Sequence, residues 1–133
     1  MKKTAESFAA ALDADDFETA FSLLDENCIY KIEDQRLSGR SEIIDSYRES
    51  SDWGKENLDD LAYSSEVESL SHDEFMIRFF DRIRFREKYH TYWCRQKLLF
   101  NLVGKICFIE HLEDSQQRKL LDDFFRENGL LRR

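Results

Sequence analysis

Two ionisable side chains stand where the sequence pattern calls for apolar ones. Residues 75–86 alternate strictly: Phe75, Ile77, Phe79, Asp81, Ile83 and Phe85 share one face, and Met76, Arg78, Phe80, Arg82, Arg84 and Arg86 the other. A period of two marks a half-buried strand whose apolar face turns inward. A carboxylate among those rings loses water and must find a partner. Asp81 is therefore a candidate general acid or base, or else a carboxylate satisfied by a tyrosine or by buried water. His111, in a later apolar run, is its candidate catalytic partner, with a backbone-bonded core histidine as the plain alternative. Cys94 could be a nucleophile between them or an ordinary core thiol. Tyr30 and Tyr92 offer hydroxyls to a ligand, Gln96 an amide, and Phe79 and Ile109 apolar wall. No two histidines have metal-ligand spacing, so no metal is expected, nor any cofactor.

These side chains must be positioned by a chain that changes period partway along. Thr4 caps a first helix carrying Phe8, Ala11 and Leu12, and Asp15 and Asp16 cap a second with Phe17, Ala20, Phe21 and Leu24. A strand over 28–35 follows, then a turn at 37–40. A third helix is capped by Ser41, with Ile43, Ile44 and Tyr47 as its buried stripe. Residues 50–60 are polar and hold Gly54, which predicts a loop, with Trp53 folded back onto the domain. From Ala62 the period is two through 62–70, 75–87, 89–101 and 105–113. Asp114 opens a last helix with Leu120, Leu121, Phe124 and Phe125, stopped by Gly129. Helices followed by a meander predict an α+β fold with helices on one face of an antiparallel sheet.

With 133 residues, 41% of them hydrophobic, one domain over 1–133 with one core is expected. A net charge of −8 argues against nucleic-acid binding, and the mixed signs along the chain fit a solubilising surface. The odd cysteines Cys28, Cys94 and Cys107 follow no metal spacing and predict buried thiols in a reducing compartment. No apolar run approaches the ~20 residues of a membrane span. The start is helical and acidic, unlike a signal peptide. A cytoplasmic protein is expected.

Three segments together resemble the nuclear transport factor 2-like superfamily, which includes ketosteroid isomerase, scytalone dehydratase and the SnoaL-like polyketide cyclases. ESFAAALDADDFETAFSLLDENCIYKI resembles its helix–break–helix–strand opening. LSGRSEIIDSY resembles the glycine turn before its third helix, and FNLVGKICFIEHLED its last hairpin. The resemblance implies a cone-shaped roll: a strongly bent antiparallel or mixed sheet wraps three N-terminal helices and leaves a cavity at its wide end. The C-terminal helix here is additional. The resemblance favours Cys107, Ile109 and His111 as the inward side of the last strand. Matched against ketosteroid isomerase, its oxyanion-hole tyrosine falls at Phe8, its oxyanion-hole aspartic acid at Gln96 and its base at Ile32, so steroid isomerisation is not expected.

Turns centred at 87–88 and at 102–103 would pair Asp81 with Cys94 and Cys94 with His111, one row across three strands ~4.8 Å apart. The outward face carries Phe80, Trp93 and Phe108 among Arg82 and Arg95. The resemblance implies a homodimer through that side; a monomer with stacked arginine and tryptophan, or a basic stripe for an anionic partner, are the alternatives. Two functions stay open. One is a small-molecule-binding or proton-transfer domain (isomerase, dehydratase, cyclase or hydrolase type) with an apolar cavity. The other is a non-catalytic dimeric interaction or adaptor module whose cavity is filled by its own side chains.

Overall fold

The protein is described from a computed structural model covering residues 1–130. The elements run α1 (Lys2–Asp13), α2 (Phe17–Leu23), β1 (Leu24–Ile32), β2 (Gln35–Ser38), α3 (Arg40–Asn57), β3 (Asp60–Ser69), β4 (Glu74–Phe85), β5 (Lys88–Phe100), β6 (Ile106–Leu112) and α4 (Ser115–Glu127). One six-stranded sheet has the order β2-β1-β6-β5-β4-β3. Every pairing is antiparallel except β1 with β6. The result is α+β, an open cone-shaped roll with a mixed sheet, as expected.

The alternation of β4 survives folding. Phe75, Ile77 and Ile83 are buried and Arg78 and Arg82 exposed, because only the apolar set gains by leaving water. Phe8, Ala5 and Ala9 of α1, with Ile43 and Ile44 of α3, meet Ile77, Leu98 and Ile109 of the sheet in a first core cluster. Leu121, Phe124 and Phe125 of α4 pack with Ile83, Tyr92 and Cys94 in a second. Phe79 packs against both.

Several expectations need correction. Helix α1 starts at Lys2 with Met1 as N-cap, not at Thr4, and Gly39 (φ 89°), not Ser41, caps α3. The 28–35 strand is two strands, since Glu33 turns through φ 54° and the chain returns as β2. The segment 50–60 is mostly helix. Its polar residues look like a loop because one of them, Ser51, is buried: its hydroxyl bonds Asp15 and accepts from Tyr63. Gly54 is helical there, and a Cβ at that position would lie 2.5 Å from Leu61 Cδ2, so any side chain would require the Leu61 side chain to move. On β6, Ile106 rather than Cys107 enters the core, because a bulge opposite Leu99 and Phe100 leaves Cys107 as the extra residue.

The expected row of Asp81, Cys94 and His111 does not form. The β4–β5 turn is centred at Arg86–Glu87, where Arg86 takes φ 56°, and this places Asp81 opposite Tyr92 and Phe79 opposite Cys94. On the other side Gln96, not Cys94, pairs with His111. Moving a turn centre by one residue moves the pairing by two, so faces are kept while neighbours change. Under mild oxidation, Phe79→Cys should therefore crosslink to Cys94 and Asp81→Cys should not, as read by peptide mass mapping. The opposite result would restore the other register.

Candidate functional site

The concave side of the sheet and the surrounding helices enclose a cavity of about 690 Å³. Asp81 lies on its wall, half-buried, between its ladder partners Tyr63 and Tyr92. Tyr30, Tyr92, Cys94, Gln96, His111 and Phe79 line it as well. Ile109 does not: it is fully buried in the first core cluster, where Leu98 faces it across the ladder. The apolar wall comes instead from residues such as Leu12, Ile43, Leu58, Leu61, Ile83 and Phe125.

A continuous chain of hydrogen bonds runs along one wall. It begins at Gln96, whose side chain is buried, with 4% of the residue exposed. The Tyr47 hydroxyl donates to Gln96 Oε1 at 2.5 Å. Gln96 Nε2 donates to the Tyr30 hydroxyl at 3.2 Å and lies 3.1 Å from His111 Nδ1. An amide NH₂ can only donate, so Nδ1 accepts and the imidazole hydrogen sits on Nε2. That nitrogen lies 2.5 Å from Glu113 Oε2. The other oxygen of Glu113 accepts from the Tyr92 hydroxyl and stands 3.5 Å from the Arg118 guanidinium.

Burial works against charge on Glu113, yet hydrogen bonds from His111 and Tyr92 and the Arg118 guanidinium outweigh it and hold the carboxyl below its ordinary range. Burial is the main force raising the hydroxyl pKa values of Tyr30, Tyr47 and Tyr92, so all three stay protonated. Burial, then the charges of Asp81 and Glu113, push the Cys94 thiol up, which removes the thiolate a nucleophile needs.

At another part of the cavity lies Asp13, at the end of α1. Its Oδ2 accepts from Ser65 at 2.6 Å, its Oδ1 is buried without a protein partner, and burial raises its pKa. Nearby, Asp15 accepts from Ser51 and Lys55, and Ser51 accepts from Tyr63 at 3.0 Å. From sequence Glu113 and Asp13 do not stand out, and Tyr47 stands out only as part of the buried stripe of the third helix. Glu113 follows His111 by two residues, so strand alternation puts both on one face, and that signal could have found it. Among the described residues no group of three or more His, Cys, Asp or Glu side chains could hold a metal ion.

Glu113 also predicts a pH dependence. A carboxyl with a depressed folded pKa adds stability that is present above its unfolded value, ~4.3, and lost as pH falls through the folded value. Wild type should exceed Glu113→Gln in denaturant midpoint at pH 7, and the gap should close below pH ~4. A constant gap across this range would contradict the assignment.

No family model and no curated protein matches the sequence. Solved structures do. The protein TerC, co-crystallised with polyporic acid, is 12% identical, with 91% of this chain and 96% of that chain covered at a TM-score of 0.68. An LEH-like epoxide hydrolase of M. tuberculosis is 15% identical, with 92% and 90% covered and a TM-score of 0.65. An NTF2-like protein from Exiguobacterium is 18% identical, with 84% and 98% covered and a TM-score of 0.60. The chain thus has the nuclear transport factor 2-like fold, the architecture its opening, its glycine turn and its last hairpin resemble.

Proposed function

We propose that the cavity binds a small, largely apolar molecule and carries out cofactor-independent proton transfer on it, of the isomerase, dehydratase, cyclase or hydrolase type. The observation that carries this reading is the acidic side chain of Asp81 on a wall otherwise built there from Phe79 and Ile83. Asp81 moves the proton. Both ring nitrogens of His111 are taken by Gln96 and Glu113, so His111, although it lines the cavity, assists by holding that network and not by hydrogen-bonding the ligand. Tyr30 and Tyr92 orient the ligand, Gln96 holds Tyr30 in place for it, and Phe79 and the protonated Cys94 give it a surface. The ligand in the TerC crystal and the activity named for the epoxide hydrolase support a small-molecule role. The open volume favours it over the second reading, an adaptor with a filled cavity. Asp81→Asn should lower turnover of a substrate found by thermal-shift screening of apolar acids and ketones by roughly 10²- to 10⁴-fold, with an unchanged melting temperature. Full activity in that variant would remove Asp81 from the mechanism.

The domain, residues 1–133, acts in the cytoplasm as a homodimer. Three free cysteines fit a reducing compartment, and no helix among the described residues is long and apolar enough to cross a membrane. The outer sheet face supports the dimer. Phe80 and Trp93 are paired across β4 and β5, Arg78 lies 4.7 Å over the Trp93 ring, and Phe108, Arg82 and Arg95 share that side. Sedimentation at micromolar protein should give twice the 16.0 kDa chain mass, and a single 16.0 kDa species would exclude the dimer.

A further inference from the structure

The wall that carries Gln96 has a direction, and the direction ends at one atom. Gln96 Oε1 is occupied by the Tyr47 hydroxyl, and its two amide hydrogens by the Tyr30 oxygen and His111 Nδ1. Tyr30 receives the amide hydrogen, so its oxygen serves as the acceptor in the bond that holds it. Its own hydroxyl hydrogen has no acceptor among the described residues, and Tyr30 lines the cavity. A half-buried hydroxyl that has lost water on one side is a donor waiting for an acceptor.

We infer that Glu113, acting through His111 and Gln96, is a positioning residue that keeps the Tyr30 hydroxyl hydrogen turned into the cavity, so that the cavity selects ligands presenting a carbonyl oxygen to that wall. The inference rests on the cavity of the proposed function but not on any turnover by Asp81. Glu113 accepts the Nε2 hydrogen of His111, which leaves Nδ1 a lone pair and obliges Gln96 to present its NH₂ there. Gln96 is too buried to turn toward water, so the same NH₂ must also serve Tyr30.

Adding a proton to His111 reverses the chain. Nδ1–H and the Gln96 NH₂ would then be two donors 3.1 Å apart. A half turn of the amide relieves them: Oε1 accepts from Nδ1–H and from the Tyr30 hydroxyl, and Nε2 donates to Tyr47. The Tyr30 hydrogen leaves the cavity. The ionisable groups around His111 are Glu113 after β6, Tyr30 on β1, Tyr47 on α3, Tyr92 and Cys94 on β5, Arg118 on α4 and, farther along the same wall, Asp81 on β4. The tyrosines and the thiol stay neutral throughout.

The test uses two probes of one shape, 2-acetylnaphthalene and 2-isopropenylnaphthalene, which differ by a carbonyl oxygen in place of a methylene. Wild type at neutral pH should bind the ketone roughly two- to tenfold more tightly, the net worth of one hydrogen bond. Tyr30→Phe should erase the preference, bringing the ratio of the two affinities to about one. Glu113→Gln, which removes the fixed acceptor for Nε2–H, should reduce it. In wild type the preference should fade on acidification with the same midpoint as the His111 ring, followed by ¹⁵N NMR. Equal binding of both probes by wild type, or a preference that survives Tyr30→Phe or ignores both Glu113→Gln and pH, would overturn this inference alone. Failure of both probes to bind at all would overturn the cavity's proposed function and this inference with it.

Discussion

One buried amide constrains this structure more than any other group. Gln96 sits at the centre of the sheet, almost without exposure, among residues that would otherwise be a plain apolar core. An unpaired polar group there would cost ~1–3 kcal/mol. Its neighbours are therefore chosen for what they donate and accept. Tyr47 arrives from α3, Tyr30 from β1 and His111 from β6. Satisfying the amide pins a helix and two strands to β5, and it also fixes which way each hydrogen points.

The rest of the cavity is arranged around that wall. Glu113 sits where the chain leaves β6, just ahead of the Asp114 cap that starts α4. It anchors the imidazole, and α4 brings Arg118 to the same carboxylate and Phe125 against Trp53. The additional helix thus closes the second core cluster and supports the chain of hydrogen bonds at once. Asp81 lies two ladder positions from Phe79 and Cys94, close enough for its charge to act on the Cys94 thiol. The proposed chemistry pairs the Tyr30 donor with the Asp81 carboxylate farther along the same wall, the pairing that proton transfer next to a carbonyl requires.

How much of this was legible in the sequence depended on the kind of signal. The inward face of β4, and with it the placement of Asp81, followed from period two, because burial of alternate residues leaves no ambiguity. The partners of Asp81 did not follow. They depend on whether a tight turn is centred at Arg86 or at Glu87, and a left-handed Arg86 has no composition cue such as glycine. The bulge that displaces Cys107 is likewise set by packing of Ile106 against the core. The second half of α3 hid behind polar residues because Ser51 is spent inside the protein, on Asp15 and Tyr63, where composition suggests solvent. His111 was visible as an unusual strand residue, but its role was not. Only coordinates show that both its nitrogens are occupied.

The central claim is that the wall is a directed chain of hydrogens ending at Tyr30. Neutron diffraction from a deuterium-exchanged crystal at neutral pH observes those atoms. The account predicts deuterium on His111 Nε2, none on Nδ1, both Gln96 amide deuterons on the side of Tyr30 and His111, and the Tyr30 hydroxyl deuteron pointing into the cavity. Deuterium on Nδ1, with the Gln96 oxygen facing it and the Tyr30 deuteron directed at that oxygen, would contradict it.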